Sequence, residues 1–285
     1  MMDVDNTEKL PIANWTCVRL PPLSPVAAKI MAIVTDENAP ADELAKLISF
    51  DQAFASTILR FANSALYAHC FPVTDILHAI NRVGLKNLQS LCMSVAMVRL
   101  LGKHVRNLRI QNLWLHNFAC GFIAQTLATG TGIDKGSAFA CGLMHDVGRL
   151  ALSVLRPEEY AHLLDEHRGS PASIIPLEKE MFGFDHCEAG HDLLRSWMLP
   201  DLFAIVAQTH HDLTQSGDPR SLTNLIGMSC RMADSAGFAA FPGCEATPYA
   251  ELVNELPNTA ICKLYPDFES LAAEIRGNVE LMQIF

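Results

Sequence analysis

Adjacent His145 and Asp146 lie in Gly142-Leu-Met-His-Asp-Val-Gly-Arg149, inside an apolar run from Phe139 to Leu155 that carries no charge before the pair. The run predicts one buried helix, apolar nearly all round. Burying a carboxylate beside an imidazole costs on the order of several kcal/mol unless something pairs with them. A divalent cation is one such partner, because neutral imidazole and carboxylate both ligate it. A satisfied core histidine next to a helix-internal aspartate bonded to backbone is the other account of the pair. Bearing on that choice are the further polar residues on otherwise apolar helices: His116, His186, His210, His211 and Asp234. With His145, five of the chain's eleven histidines belong to this set.

The chain that must position these groups has 285 residues, enough for one large domain or two modest ones. Half of it is hydrophobic and only 18% is charged, so a sizeable core is within reach. Nine cysteines are scattered without a C-x-x-C pair, which predicts reduced thiols in a cytoplasmic protein rather than a zinc ribbon or a disulfide framework. Met1 to Leu20 has acidic residues and no long apolar core, unlike a secretory signal. A run of about 18 uncharged apolar residues, the mark of a membrane span, is not seen. The net charge of −10, without a basic cluster, argues against nucleic-acid binding.

Helical signals follow one another along the chain. Ser24 and Pro25 suit the cap and first position of a helix reaching Val34, after the stiff segment Leu20-Pro-Pro-Leu-Ser-Pro25. Pro40 starts a second, with Leu44, Leu47 and Ile48 inward; Asp51 caps a third that closes at Asn63-Ser-Ala-Leu-Tyr67. Asp75 caps a short helix ending at Gly84, and Leu85 to Leu101 forms another stopped by Gly102. A long helix from Asn107 carries Trp114 and His116 and ends near Gly130. Beyond the His145 helix, Pro157 opens one to His167, Ser173 to Met181 is another, and Asp185-His-Cys-Glu188 has capping-box spacing. Pro200 starts the helix that ends in His210-His211-Asp212, before a polar loop from Thr214 to Pro219. Ser221 to Gly237 carries Asp234, and a last helix runs from Asp267 to Met282. No strand run or internal repeat is evident, so an all-α fold is expected. Outside the cluster, His162 and His191 read as solvated helix-face residues and His167 as a cation at a helix C-terminus.

The order H…HD…H…HH…D resembles the HD superfamily of metal-dependent phosphohydrolases, and most nearly its HDOD branch, the HD-related output domains. The resemblance spans roughly residues 18 to 285. It also draws on Arg60-Phe-Ala-Asn-Ser-Ala-Leu-Tyr67, Ala79-Ile-Asn-Arg-Val-Gly-Leu-Lys86 and Phe184-Asp-His-Cys-Glu-Ala-Gly190. It implies an N-terminal extension (1–19) and an HDOD domain (20–285), made of an N-terminal helical bundle unit (20–104) and an HD-like unit (105–285). His116, His145, Asp146 and Asp234 match one metal position of the catalytic relatives, and His186, His210 and His211 a second. Asp146 would bridge the two ions, an arrangement that clamps attacking and leaving oxygens in phosphoester hydrolysis. His210 and His211 project about 100° apart on a helix, so both reach one ion only from a frayed helix end.

Departures from the catalytic pattern are equally specific. The HD-GYP phosphodiesterases carry Gly-Tyr-Pro after the double histidine; here the stretch is Asp212-Leu-Thr-Gln-Ser-Gly-Asp-Pro219. Their lysine is Arg149, which still suits phosphate, even bidentately. A glutamate that supports a third metal in some relatives is Asn112, so one or two divalent ions are expected, of iron, manganese, nickel or zinc. These departures weigh against cyclic di-GMP hydrolysis. Two functions are compatible with the residues: a bacterial signal-transduction output domain with a metal site, or a metal-dependent phosphohydrolase with Asp146 and Arg149 as its catalytic groups. Either implies a signalling protein partner or a small phosphorylated ligand, with no nucleic acid and no membrane, and sets no oligomeric state.

Overall fold

The computed structural model describes residues 29, 33, 40–63, 72–129, 131–212, 221–256 and 267–282. The expected Ser24–Val34 helix (Lys29 and Ile33 apart), the Leu20–Pro25 segment, most of Asn63–Tyr67 and the Thr214–Pro219 loop lie outside the described residues. All regular structure among those described is helical, apart from an isolated bridge between Gly169 and Cys244. The fold is all-α.

The first helices are α1 (Ala41–Ser49), α2 (Gln52–Ala62), α3 (Ile76–Val83) and α4 (Leu85–Leu101). α1 buries Leu44, Leu47 and Ile48, the inward face its periodicity predicts. Local chemistry sets the boundaries. Asp51 accepts the Phe54 N–H at 2.9 Å and Asp75 the His78 N–H at 2.9 Å, so each satisfies an orphan donor of a first turn. Gly84 and Gly102, at φ +88° and +52°, end α3 and α4 in conformations that side chains resist. A 3₁₀ turn, Gly102–Arg106, then leads into α5 (Leu108–Leu127).

The second half adds α6 (Lys135–Met144), α7 (Val147–Leu155), α8 (Pro157–Glu166), a 3₁₀ turn Pro171–Ile174, α9 (Ile175–Phe182), α10 (His186–Ser196) and α11 (Asp201–Thr209). α12 (Leu222–Ser235), α13 (Tyr249–Glu255) and α14 (Phe268–Met282) complete it. The capping box at Asp185 is formed, with Asp185 accepting the Glu188 N–H and Glu188 accepting the Asp185 N–H. One apolar cluster runs from Leu44 to Ile275 and continues across the 102–106 turn. Within it α5 packs on both α6 and α12, α7 packs on α10, and α14 returns to α2.

Two helix spans need correcting, and one further helix appears. Phe139 to Leu155 is two helices: α6 ends at Met144, His145 keeps helical dihedrals, and Asp146 turns to φ −104°, ψ 23° before α7. Ser173–Met181 divides into the end of the 3₁₀ turn and α9, because Pro171 and Pro176 each restart the backbone. α13 was not expected; at seven residues, with Leu252 its buried residue, it is too short for a periodic pattern. His167 stands at the C-terminal end of α8, as expected, and is turned inward, 2.9 Å from the Ser173 hydroxyl and against the Phe241 ring. Lys135–Leu155 is, among the described residues, the stretch long and apolar enough to cross a membrane, yet it is mostly buried and broken at Asp146. Cys92, Cys120, Cys141, Cys187, Cys230 and Cys244 are free thiols, as expected.

Candidate metal centre

The break at Asp146 lies where five helices deliver polar groups. α5 brings His116, the α6–α7 junction His145 and Asp146, the first turn of α7 Arg149, and the first turn of α10 His186. His210 and His211 leave the C-terminal end of α11, outside its last helical residue. Two glycines of the His-Asp motif permit this convergence. A Cβ on Gly142 would come within 2.6 Å of Gly121 Cα, so α6 and α5 cross backbone to backbone. One on Gly148 would strike the His186 carbonyl oxygen at 1.9 Å, so α7 and α10 meet as closely.

Asp146 is the hub, and its two carboxylate oxygens face different partners. Oδ2 lies 3.8 Å from His145 Nε2 and 4.0 Å from His116 Nε2. Oδ1 lies 3.4 Å from both His186 Nε2 and His210 Nε2. His211 joins the second group, with its Nε2 3.1 Å from His186 Nε2. The four rings facing Asp146 and the carboxylate itself are at most 1% exposed.

Each of these four rings is held from behind. His116 Nδ1–H donates to Phe238 O at 2.7 Å, His145 Nδ1–H to Gly142 O at 2.6 Å, and His210 Nδ1–H to Ala207 O at 2.9 Å. His186 Nδ1–H donates to Glu178 Oε2 at 2.6 Å, and the same oxygen accepts the His186 backbone N–H at 2.8 Å. A carbonyl or carboxylate can only accept, so the proton is on Nδ1 and every Nε2 is left to face the centre. Backbone- and carboxylate-anchored imidazoles of this kind are how metal-binding histidines are oriented. The Nε2 atoms of His145 and His210 and Oδ1 of Asp146 are buried without hydrogen-bond partners. A divalent ion fits this donor set: ligand legs of about 2.0–2.1 Å at a tetrahedral angle place neighbouring donor atoms about 3.3 Å apart.

Electrostatics follow the same division. Burial, reinforced by neighbouring rings, holds His145, His210 and His211 below the usual imidazole range, in the neutral form that ligates. Burial also opposes protonation of His186, but Cys187 and Glu178 outweigh it and lift the ring to about 10. His116 is likewise lifted against burial, by Cys230 and Asp234. Burial pushes the Asp146 carboxyl up, yet Arg149 foremost holds it well below the carboxylate range.

Arg149 is fully buried. Its Nε donates to Asp146 Oδ2 at 2.8 Å and its Nη2 to Pro171 O at 3.0 Å, while Nη2 stands 3.5 Å from His211 Nε2. Asp234 lies at the edge of the group: its Oδ1 is 3.4 Å from His116 Nδ1, on the side of the ring away from Asp146, and accepts the Ala240 N–H at 3.2 Å. Three residues escaped the sequence reading. Glu178, fully buried behind His186, sits in Glu178-Lys-Glu180, which looks like a solvated face. Tyr160 donates to Glu178 Oε1 at 2.7 Å. Cys230, 3.5 Å from His116 Nε2, did carry a signal, being one turn before Asp234 on the same helix face.

An all-helical fold with a histidine–aspartate hub defines the HD-type helical domains. The chain belongs to the HDOD domain family, which matches residues 20–213. It is 29% identical over 198 residues to an uncharacterized protein of Treponema pallidum (strain Nichols), covering 68% of this chain and 38% of that one. The chain thus spans well under half the length of that relative. Among solved structures it is similar to an HDOD domain protein of unknown function from Geobacter sulfurreducens, at 22% identity and TM-score 0.69, over 96% of this chain and 98% of that one. A second is a candidate metal-dependent phosphohydrolase from Shewanella amazonensis SB2B, at 20% identity and TM-score 0.61, over 94% and 95% of the two chains. At these identities the structural likeness establishes the fold.

Proposed function

We propose that this HDOD domain is a regulatory signal-transduction module whose core holds one or two divalent transition ions without turning over a substrate. The observation that carries this reading is Arg149. A hydrolase needs an open metal position for water and a free group for phosphate. Here the guanidinium is fully buried, with Nε on Asp146 Oδ2 and Nη2 on the Pro171 carbonyl, and Nη1 alone lacks a hydrogen-bond partner, 3.6 Å from Glu178 Oε1. Its positive charge sits on the carboxylate that joins the two histidine groups. His186, His210, His211 and Asp146 Oδ1 would hold one ion, and His116, His145 and Asp146 Oδ2 a second. A bound ion would supply Lewis acidity and a cross-link between α5, the α6–α7 junction, α10 and the end of α11. In this reading the cross-link matters: it fixes the shape of the helical surfaces that contact a partner protein.

A phosphohydrolase is the second reading, favoured by the two oxygens of Asp146 facing two separate histidine groups. There Arg149 would release Asp146 to take a phosphate. One experiment separates the readings. The full chain is reconstituted with zinc, manganese, nickel or iron(II), and assayed on cyclic dinucleotides, nucleotides and an aryl phosphodiester, with Asp146→Ala as blank. Metal by elemental analysis with no turnover above the blank is the expected result. Turnover that Arg149→Ala abolishes, with metal content unchanged, would replace the regulatory reading by the enzymatic one.

A further inference from the structure

The Nε2 edge of His116, the edge turned to the centre, faces a sulfur. Cys230 Sγ lies 3.5 Å from it. Metal legs of about 2.0–2.1 Å to nitrogen and about 2.3 Å to sulfur, at a tetrahedral angle, set N and S about 3.6 Å apart. The donor atoms of His116, His145 and Cys230 all lie within 4.8 Å of one another. Asp146 Oδ2, 3.8–4.0 Å from the two ring nitrogens, supplies a fourth donor. Asp234 stands differently. Its Oδ1 is on the opposite, Nδ1 edge of His116 and accepts the Ala240 N–H, while its Oδ2 is buried without a hydrogen-bond partner.

We propose that Cys230 is a metal ligand, completing an N₂OS set with His116, His145 and Asp146, while Asp234 orients His116 from behind. This rests on the reading that the centre holds an ion. Most buried cysteines are small hydrophobes, and Cys120, whose thiol points at the Ile226 carbonyl oxygen 3.7 Å away, is of that kind. Cys230 is buried equally but points at an imidazole nitrogen. Cys187 also approaches a ligand nitrogen, His186 Nε2 at 3.4 Å, in the separate group it forms with His210 and His211, and is the rival sulfur donor. On binding, the Cys230 S–H bond breaks, the proton passes to solvent and a sulfur–metal bond forms; no electron changes hands. A thiolate donor tilts selectivity away from magnesium and manganese toward zinc, cobalt and iron.

The test uses the full chain loaded with cobalt(II) or zinc and does not depend on activity. Elemental analysis first establishes that metal is retained; none retained removes both the metal reading and this one. In loaded wild type, X-ray absorption should find a sulfur scatterer at about 2.3 Å from zinc, and the cobalt protein a near-ultraviolet sulfur-to-metal charge-transfer band. Both signals should vanish in Cys230→Ser and persist in Cys120→Ser, Cys187→Ser and Asp234→Asn. Retained metal with nitrogen and oxygen scatterers alone in wild type overturns the proposal, whether or not Cys230→Ser folds. So does a sulfur signal that survives Cys230→Ser or is lost in Cys187→Ser.

Discussion

Glu178 offers the sharpest perturbation of the centre, because it stands behind His186, a proposed ligand, without itself facing Asp146. Its Oε2 accepts two His186 N–H groups, at 2.8 and 2.6 Å, and its Oε1 accepts the Tyr160 hydroxyl at 2.7 Å. Glu178→Gln keeps the shape. With the amide oxygen toward His186 both N–H groups stay bonded, and the amide N–H₂ can donate to the Tyr160 oxygen. What disappears is charge. Two bonds to a carboxylate, about 1.5–3 kcal/mol each, become neutral ones of about 0.5–1.5. The metal-free protein should therefore lose roughly 2–3 kcal/mol of stability in urea. Loss of a carboxylate behind a ligating histidine typically weakens metal binding 10–100-fold, about 1.4–2.8 kcal/mol. Competition titration with a zinc chelator, on refolded wild type, Glu178→Gln and Tyr160→Phe, measures this. Tyr160→Phe, which leaves the carboxylate on His186, should shift affinity less. Unchanged zinc affinity in a folded Glu178→Gln protein would refute the claim that His186 ligates through its Nε2.

Three further outcomes are expected. Gly148→Ala places a methyl 1.9 Å from the His186 carbonyl oxygen; it should cost at least the 1–3 kcal/mol or so typical of overpacking, and a wild-type urea midpoint would contradict the close crossing of α7 and α10. Ion at about 100 times its dissociation constant adds about 2.7 kcal/mol, so a strong chelator should lower the wild-type melting temperature by roughly 5–10 °C; an equal shift in Asp146→Ala would show that the chelator acts elsewhere. Asp165, paired with both Arg109 terminal nitrogens, is held below its ordinary value chiefly by that bond. A depressed carboxylate contributes stability above about pH 4, lost as pH falls through its folded value. Urea midpoints of wild type and Asp165→Asn should thus differ at neutral pH and converge in acid; curves parallel throughout would count against the pair.

Helix starts were legible wherever one residue decides them. Asp51, Asp75 and Asp185 each cap the helix they were expected to cap, because the bond runs only three residues along the chain. The break at Asp146 was not legible: both flanks are apolar and helix-favouring, and the turn answers to partners on α5, α10 and α11. Clustering of the histidines was suggested by polar residues on apolar helices, but which edge of His116 meets Asp234 depends on side-chain direction that spacing leaves open. Glu178 gave no local sign, since its role exists only once α9 lies against the start of α10.

The bond that anchors His116 joins it to Phe238, 122 residues later. At synthesis rates of about 5–20 residues per second, roughly 6–24 s separate the emergence of the ring from that of its acceptor. For that interval α5 can settle on α6 but not on α12, so one side of an almost wholly apolar helix waits in water. Until α12 emerges and folds back, α5 lacks that cover and the ring its acceptor, so the orientation of His116 is fixed at the close of synthesis rather than its start.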